Sequence, residues 1–267
     1  MNNVHVLAID PQIDFCHPKG ALFVSGADQD MIRLAAMVKR LGKKLSQIHV
    51  TLDSHQEFHI AHPMAWVDSV GKHPNPFTRI SVLDVENGTW NPRNPAWRNR
   101  FLDYVRTLEK NGRYLLCIWP PHCVIGSWGH SISPEFSDAI REWSRDNVRL
   151  IDYVTKGSNP LTEHYSAIQA DVVDPKDPGT QLNLDLIDTL KTADLIAISG
   201  EALDFCVANT IRDIANNFGE ENIQKFVLLT DTCSCVNAPG LEFLGPNFVK
   251  EMTARGMQVS TSVDFLA

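Results

Sequence analysis

An aspartate, a lysine and a cysteine each follow a short apolar run that is typical of a buried strand. Asp10 follows Val4–Ile9, Lys156 follows residues 148–154, and Cys206 comes shortly after residues 195–198. A cysteine nucleophile needs a proton acceptor and a cation that stabilises its thiolate, and a carboxylate with a lysine supplies both. Taken singly, the three residues are better explained as a loop cap, a solvated surface charge and a buried structural thiol. Placed together at one sheet edge, they predict a catalytic set.

The stretch around Cys206 has a pattern of its own. Residues 193–214 read as a strand, a turn at Ser199 and Gly200, and a helix with Cys206 in its first turn. A thiol at that position lies at the positive end of the helix dipole, which favours the thiolate. We therefore expect Cys206 to be a nucleophile with a lowered pKa.

A second group of residues has the composition of a metal site. Asp53 and His55 follow the second apolar run, and His122 lies in the sequence WPPHC. An Asp-x-His pair and one further histidine can hold one ion and leave positions open for water or substrate, as catalytic zinc sites require. Zinc, manganese and iron all suit these ligands. Spacing alone leaves open that these are surface histidines in a polar loop, and it does not promote the neighbouring His59 and His62.

Two aromatic residues lie close to these groups in the sequence. Phe15 follows Asp10 by five positions and Trp119 begins the WPPHC segment. Flat aromatic faces suit a heteroaromatic ring, so Phe15 and Trp119 could form the walls of an apolar slot. Composition alone favours the simpler interpretation that both belong to the core.

The elements that must position these residues alternate along the chain. Apolar runs typical of strands occur at 4–9, 48–52, 148–154, 195–198, 225–229 and 257–260, and helical patterns lie between them at 31–45, 136–143, 184–190 and 248–254. This alternation predicts an α/β fold of three layers, a doubly wound and mainly parallel sheet with helices on both faces. Ligands bind such sheets at the carboxyl ends of the strands.

One segment departs from this pattern. Residues 63–113 contain five prolines and three tryptophans, and only residues 97–110 look helical. A structureless loop of this length is unusual within a compact domain. We expect one domain over residues 1–267, with 63–113 as a folded insertion that serves as a lid or an oligomer contact.

Length and charge limit the classes of function. The 267 residues have a net charge of −8 and no basic cluster, which argues against nucleic acid as a partner. No apolar run approaches the roughly 20 residues that span a bilayer, and the N-terminal residues lack the pattern of a signal peptide. Six scattered cysteines fit a reducing compartment. We expect a cytoplasmic protein whose partners are small molecules or copies of itself.

Several motifs resemble those of a known family. Residues 10–15, DPQIDF, resemble the D-x-Q-x-D-F opening of the isochorismatase-like cysteine hydrolases, and residues 200–207, GEALDFCV, resemble their nucleophile segment. Asp53 and His55, with WPPHC at 119–123, resemble the metal motif of the nicotinamidases within that family. The resemblance extends to about Asp231 and does not cover residues 63–113.

The resemblance implies a reaction and a role for each residue. Nicotinamide would be hydrolysed to nicotinate and ammonia in NAD salvage, and pyrazinamide would also be accepted. Cys206 would form the thioester, with Asp10 as the proton carrier held by Lys156. The N–H groups of Ala202 and Cys206 would form the oxyanion hole, with a cis peptide before Ala202. A divalent ion (zinc, alternatively manganese or iron) on Asp53, His55 and His122 would orient the substrate ring, with Phe15 and Trp119 beside it. A homo-oligomer is also expected.

Two residues depart from the usual family pattern beside the nucleophile. Glu201 stands where Val or Ile is usual, and Leu203 replaces a small hydroxyl residue. Together with the insertion, these departures keep two alternatives open. The chain could hydrolyse a different amide or carbamoyl substrate, or it could be a non-catalytic binding member of the family.

Overall fold

The protein was analysed as a computed structural model that describes residues 3–112 and 114–267; residue 113, the last of the predicted insertion, lies outside this description. The strands are, in chain order, β1 (Val4–Ile9), β2 (Gln47–Asp53), β3 (Trp66–Val67), β4 (Arg79–Ile80), β5 (Asn91–Pro92), β6 (Leu116–Cys117), β7 (Asp152–Lys156), β8 (Leu195–Gly200), β9 (Phe226–Leu229) and β10 (Gln258–Ser260). The α-helices are α1 (Ile13–Cys16), α2 (Ala27–Leu41), α3 (Val82–Glu86), α4 (Arg98–Asn111), α5 (Pro134–Asn147), α6 (Leu184–Lys191), α7 (Ala208–Phe218) and α8 (Leu244–Ala254).

Six parallel strands form the central sheet, in the order β10-β9-β8-β1-β2-β7. From β1 the chain adds strands first on one side, through β2 and β7, and then on the other, through β8, β9 and β10. The order therefore reverses between β1 and β8, and a crevice forms at the carboxyl ends of strands beside such a reversal. The predicted α/β class and parallel sheet are confirmed.

Helices cover the sheet in two groups. Helix α2 packs against α5, and α7 packs against α6 and α8. Right-handed crossovers between parallel strands place these groups on opposite faces. Strands β1 and β9 are buried along their whole length, as their largely apolar sequences predict. The edge strand β7 alternates between partly buried and exposed residues and ends at the buried Lys156.

The third strand begins later than the sequence predicts. The apolar pattern places it at residues 148–154, but β7 runs from Asp152 to Lys156. Val148 has a positive φ of 51° at the end of α5, and its side chain is 92% exposed. The apolar residues that suggested an earlier start thus belong to a surface connection. The shift makes Lys156 the last residue of the strand.

The predicted insertion is more regular than its sequence suggests. Besides α4 it contains α3 and short strands, which pair antiparallel as β3 with β5 and β4 with β6. Strands of two residues are too short to produce a recognisable alternation, which explains why the pattern missed them. Its aromatic residues pack within the chain: Trp66 is fully buried 4.8 Å from Phe101, and Trp97 lies 4.8 Å from Phe58. Among the described residues, no helix has the length and apolar character needed to cross a bilayer.

Candidate active site

Lys156 connects the two groups of residues that the sequence singled out. Its Nζ lies 2.8 Å from Asp10 Oδ2, 3.1 Å from Asp53 Oδ1 and 3.6 Å from Cys206 Sγ. It also donates a hydrogen bond to the carbonyl oxygen of His164 at 3.0 Å. The strand ends bring these groups together, because Asp53 pairs with Lys156 in the sheet and Ile9, the residue before Asp10, pairs with Gly200. One buried cation therefore joins the candidate nucleophile to the candidate metal site.

The charges in this network are strongly perturbed. Burial by itself would lower the pKa of Lys156, but Asp10 and Asp53 together raise it well above its usual range. For Asp10, burial raises the pKa and the Lys156 ammonium only partly offsets the change. Asp53 shows the opposite balance: burial favours a higher pKa, but His55 and Lys156 hold it well below the usual range. Asp53 is therefore the permanent anion, and Asp10 is the carboxyl group suited to exchange a proton.

Cys206 does not have the lowered pKa that its position near a helix start predicts. It lies within the π-helical turn Leu203–Val207 that precedes α7, and its side chain is buried. Burial raises the pKa of the Cys206 thiol well above its ordinary value, and Lys156 only partly opposes this. Two carboxylates already share the charge of Lys156, so the helix start and one ammonium cannot outweigh the loss of water. The resting residue is a thiol, and Asp10, which contacts the same Lys156 ammonium group, is the carboxyl group placed to remove its proton.

Backbone geometry fixes both sides of the crevice. Asp10 has a positive φ of 46°, and it exchanges hydrogen bonds with Thr51 on β2: its N–H donates to Oγ1 at 3.0 Å, and the hydroxyl donates to Asp10 Oδ1 at 2.5 Å. Gly200 has a φ of 119°, and a Cβ there would lie 1.9 Å from the Ile9 carbonyl oxygen. Only glycine lets β8 approach β1 this closely.

The candidate oxyanion hole lies where β8 enters the π-helical turn. The peptide bond between Glu201 and Ala202 is cis, as the resemblance implies. Ala202 lines the cavity next to Cys206, and among the described residues its backbone N–H has no hydrogen-bond acceptor. A free N–H at this position can serve a developing negative charge on a carbonyl oxygen.

Asp53, His55 and His122 form a compact set of possible metal ligands. All three are buried, and their donor atoms lie within 4.8 Å of one another. Nδ1 of His55 lies 3.0 Å from the Gly157 carbonyl oxygen, and Nδ1 of His122 lies 2.8 Å from the Pro120 carbonyl oxygen. A carbonyl only accepts, so each Nδ1 carries the proton and each Nε2 keeps its lone pair for a metal. His55 Nε2 is buried and faces Asp53 Oδ2 at 2.9 Å, so the donor atoms converge on one point and the set fits a divalent ion.

Further histidines surround this set. The His62 ring lies 5.5 Å from the His55 ring and 5.7 Å from the His122 ring, and the His59 ring lies 4.3 Å from that of His55. Burial lowers the pKa of His62 to about 3, so it is neutral. Neither His59 nor His62 has a donor atom within the three-ligand set. Spacing along the chain did not promote His59 or His62, and the structure places both rings beside the ligand set and outside it.

Two residues of the DPQIDF motif hold the metal set in place. The Gln12 amide accepts from the Asp53 N–H at 2.7 Å and donates to the Asp53 carbonyl oxygen at 2.8 Å. Asp14 accepts from the N–H of Cys123, the neighbour of His122, at 2.7 Å. The motif therefore positions both loops that carry the ligands. Both residues belong to the motif that carries the family resemblance, but sequence reasoning gave neither of them a role.

A narrow cavity connects the thiol to the metal set. Cys206 and Ala202 lie in its wall, as do Asp53 and His122, and both predicted aromatic residues, Phe15 and Trp119, line it. Phe205, which precedes Cys206 in the nucleophile segment, also lines the cavity. No signal in the sequence pointed to the remaining wall residues, which are Leu22, Glu163, Tyr165 and Val236. These four come from distant or irregular segments, so no periodic pattern connects them to the site.

Trp119 is held rigidly in this wall. Its indole N–H donates to the Tyr165 hydroxyl at 2.8 Å, and its ring stands edge-on to Phe205 at 5.0 Å. From the predicted insertion, Phe77 packs edge-on against it at 5.6 Å. Phe15 stands edge-on to the His122 ring at 5.3 Å. The cavity thus offers fixed aromatic surfaces to a flat ligand.

Sequence comparison matches the chain to no protein-family profile and to no curated protein. Comparison with solved structures finds similar folds over nearly the whole chain. Yeast nicotinamidase bound to the inhibitor nicotinaldehyde is 19% identical with a TM-score of 0.65, covering 97% of this chain and 99% of that one. A nicotinamidase/pyrazinamidase from Acinetobacter baumanii is 20% identical with a TM-score of 0.65, covering 99% of each chain. Pyrococcus horikoshii pyrazinamidase in complex with zinc is 20% identical with a TM-score of 0.56, covering 97% and 99%. The chain has the fold of these proteins.

Proposed function

We propose that this protein is a metal-dependent amidase that hydrolyses nicotinamide to nicotinate and ammonia through a thioester on Cys206. One observation carries the proposal: a narrow aromatic cavity has a buried thiol with its carboxyl partner at one end and a three-ligand metal set at the other. A ring that carries a carboxamide and a ring nitrogen matches these two ends. The structural neighbours support the choice of ring, because one is bound to nicotinaldehyde and another, from L. infantum, is in complex with nicotinate.

Acylation begins with proton transfer from Cys206 to Asp10. The sulfur attacks the carboxamide carbon, and the carbonyl oxygen takes the negative charge facing the N–H groups of Ala202 and Cys206. Asp10 then gives its proton to the departing amine, and ammonia leaves. The raised pKa of Asp10 suits this exchange, because a carboxyl group with a pKa nearer neutrality can both accept and return a proton.

Deacylation reuses the same groups. Asp10 removes a proton from water, whose oxygen attacks the thioester carbon, and the carbon–sulfur bond breaks to release nicotinate and restore the Cys206 thiol. Lys156 remains charged throughout and holds Asp10 beside the sulfur. The two carboxyl groups therefore have different roles, since Asp10 moves protons and Asp53 stays ionised.

Asp53, His55 and His122 would hold the ion, and their nitrogen and oxygen donors suit zinc, manganese and iron alike. Zinc is our first choice, because the Pyrococcus horikoshii neighbour is in complex with zinc. When bound, the ion would take the ring nitrogen as a ligand and so orient the ring. Phe15 and Trp119 would pack on the ring beside it.

Ammonia release from nicotinamide is the deciding measurement. We expect turnover by the purified protein loaded with zinc, manganese or iron, its loss in Cys206→Ala, and acceptance of pyrazinamide as a second substrate. A folded sample that releases no ammonia with any of the three metals contradicts the assignment. If that sample nevertheless binds nicotinamide in a calorimetric titration, the chain is a binding member of this fold.

A second substrate class is favoured by Glu163. Its carboxyl group lies in the cavity wall, and Oε2 is buried with no hydrogen bond to any described residue. Burial raises the pKa of Glu163, so the group can donate as well as accept. A heterocyclic amide or a carbamoyl compound with a polar group at this position would satisfy it. Hydrolysis of such an amide, without hydrolysis of nicotinamide, would support this alternative.

The setting of the reaction is also part of the proposal. We place the protein in NAD salvage and pyridine nucleotide biosynthesis in the cytoplasm, as one domain over residues 1–267 that assembles into a homo-oligomer. The contact of Phe77 with Trp119 supports a role for residues 63–113 in shaping the cavity. Sedimentation analysis of the whole chain tests the oligomer.

A further inference from the structure

A pair of buried carboxyl groups lies behind the loop that carries Ala202. Glu201 is the first residue of that loop, directly after β8, and it is fully buried. Asp30, on α2, is 2% exposed. The two carboxyl groups are within hydrogen-bond reach of each other. Ser234 contacts both: its N–H donates to Glu201 Oε2 at 3.1 Å, and its hydroxyl donates to Asp30 Oδ2 at 2.5 Å. None of these residues lines the cavity.

The charges around the pair determine which carboxyl group keeps a proton. Arg33 makes an ion pair with Asp30 Oδ1 at 2.5 Å, so a cation lies on the Asp30 side of the pair. Glu201 makes no ion pair among the described residues, and a second negative charge here, without water, would be strongly unfavourable. Burial and the charge of Asp30 raise the pKa of Glu201 well above the usual range, so Glu201 is the carboxyl group that keeps a proton. Asp204 also raises the pKa of Glu201. The other titratable groups near Glu201 are thiols whose pKa is raised by burial, and they are Cys16, Cys233 and Cys235.

Ser234 also holds the loop from its other end. Its carbonyl oxygen accepts from the Leu203 N–H at 2.8 Å, while its N–H holds the Glu201 carboxyl group. The Glu201 N–H in turn donates to the Ile9 carbonyl oxygen at 2.8 Å. The residues on both sides of Ala202 are therefore hydrogen-bonded to Ser234. On the N-terminal side, this hydrogen bond is made by the side chain of Glu201. An ordinary Val or Ile at this position could not make that attachment.

We propose that Glu201, by its hydrogen bonds to Ser234 and Asp30, is a positioning residue that aims the Ala202 N–H into the oxyanion hole. The inference rests on the proposed function, because it assigns Glu201 a part in that reaction. Glu201 touches neither substrate nor sulfur. Loss of Glu201 should therefore slow the step in which the carbonyl oxygen becomes negative, and it should not weaken binding of the ring.

Two variants separate positioning from other roles. Glu201→Gln keeps a donor for Asp30 and an acceptor for the Ser234 N–H, so kcat should stay within about threefold of the wild type. Glu201→Leu keeps the approximate size and loses both hydrogen bonds. Because a displaced oxyanion donor costs on the order of 100-fold in rate, Glu201→Leu should lower kcat by about that factor. Its KM for nicotinamide should change by less than about threefold, because KM reports ring binding here.

An aldehyde analogue supplies a second readout. The Cys206 thiol adds across the carbonyl group of pyridine-3-carbaldehyde: sulfur bonds to carbon, and the oxygen enters the hole with the thiol proton passing to Asp10. Glu201→Leu should weaken this inhibitor by the same factor as kcat, while the metal content of the folded variant, measured well below its melting temperature, stays near the wild-type value. A purely structural role would leave the two factors unrelated.

The outcomes are distinguishable. Wild-type turnover together with an unchanged kcat in Glu201→Leu overturns this inference and leaves the proposed function standing. A loss in Glu201→Gln as large as that in Glu201→Leu also overturns it, because the hydrogen bonds would then be irrelevant. Absence of turnover in the wild type overturns the proposed function and the role of Glu201 with it.

Discussion

Replacement of Lys156 by methionine tests the network on which the site depends. Methionine keeps most of the apolar stem but removes the ammonium group that lies 2.8 Å from Asp10 and 3.1 Å from Asp53. Both carboxyl groups are almost fully buried, so water cannot replace the lost cation. The variant therefore places two acidic groups next to each other in the core without a counterion.

The size of the effect follows from the distances. With an effective dielectric constant of about 20, the two contacts amount to roughly 6 and 5 kcal/mol of attraction before the cost of burying the charges is subtracted. Removing one partner from a buried ion pair costs about 3–5 kcal/mol in practice. For a chain of this size, that corresponds to a melting temperature lower by roughly 6–20 °C. The deficit should shrink as the pH falls, because protonation of Asp10 removes one of the unpaired charges.

Urea unfolding of the metal-free protein measures this free energy directly. Lys191→Met is the matched control, because Lys191 pairs with Asp188 at a similar 3.1 Å but both side chains are exposed. An exposed pair contributes less than about 1 kcal/mol, so the control should be nearly unchanged. Zinc should restore part of the stability of Lys156→Met by neutralising Asp53. Equal stability of the two variants would refute our account of Lys156, and so would a Lys156→Met protein that retains full amidase activity.

Three further predictions concern the support of the site and the core. Gly157→Ala should weaken zinc binding by about 10–100-fold in a chelator competition, because the new Cβ would lie 2.7 Å from Asp53 Oδ1 in a residue with a φ of 79°. Gln12→Ala should lower the free energy of unfolding by about 2–4 kcal/mol in urea, because it leaves the buried N–H and carbonyl groups of Asp53 without their partner. Burial and the neighbouring His49 lower the pKa of His5 to about 4, so the unfolded chain binds more protons below pH 6.5. Stability should therefore fall by up to about 1.4 kcal/mol per pH unit between pH 6.5 and about 4, and thermal unfolding should show a smaller dependence in His5→Leu.

Each of these has its own control. Gly71 also has a positive φ, of 86°, so Gly71→Ala causes similar backbone strain. No atom lies within 4 Å of its new Cβ, so the zinc affinity should be unchanged. A zinc affinity as low in Gly71→Ala as in Gly157→Ala would contradict the steric argument. Full stability of Gln12→Ala would show that other groups satisfy the Asp53 backbone. An unchanged pH dependence in His5→Leu would assign the acid sensitivity to other buried histidines.

The parallel sheet and its catalytic edge could be predicted from the sequence. Apolar runs of strand length alternate with helical patterns, and polar residues such as Asp10 and Asp53 follow the runs directly. Parallel strands bring their carboxyl ends to one edge whatever connects them, so the approximate position of these residues follows from local pattern alone. The predicted start of β7 is too early, because the sequence alone does not show that apolar residues such as Val148 are exposed.

The chemical states of the site could not be predicted in this way. Whether Cys206 is a thiol depends on the balance between its burial and charges from β1, β2 and β7, and these meet only in three dimensions. The same holds for Glu163, which reaches the cavity from an irregular segment, and for Glu201, whose partner Asp30 lies 171 positions earlier in the chain.

The residue types at the strand ends can be recognised from the amino-acid order, because short-range periodicity encodes strands and helices. How these residues act together depends on the folded chain. Electrostatic interactions and desolvation act through space, and they depend on separations of about 3 Å, such as those between Lys156 and its two carboxylate partners, that no spacing along the chain specifies.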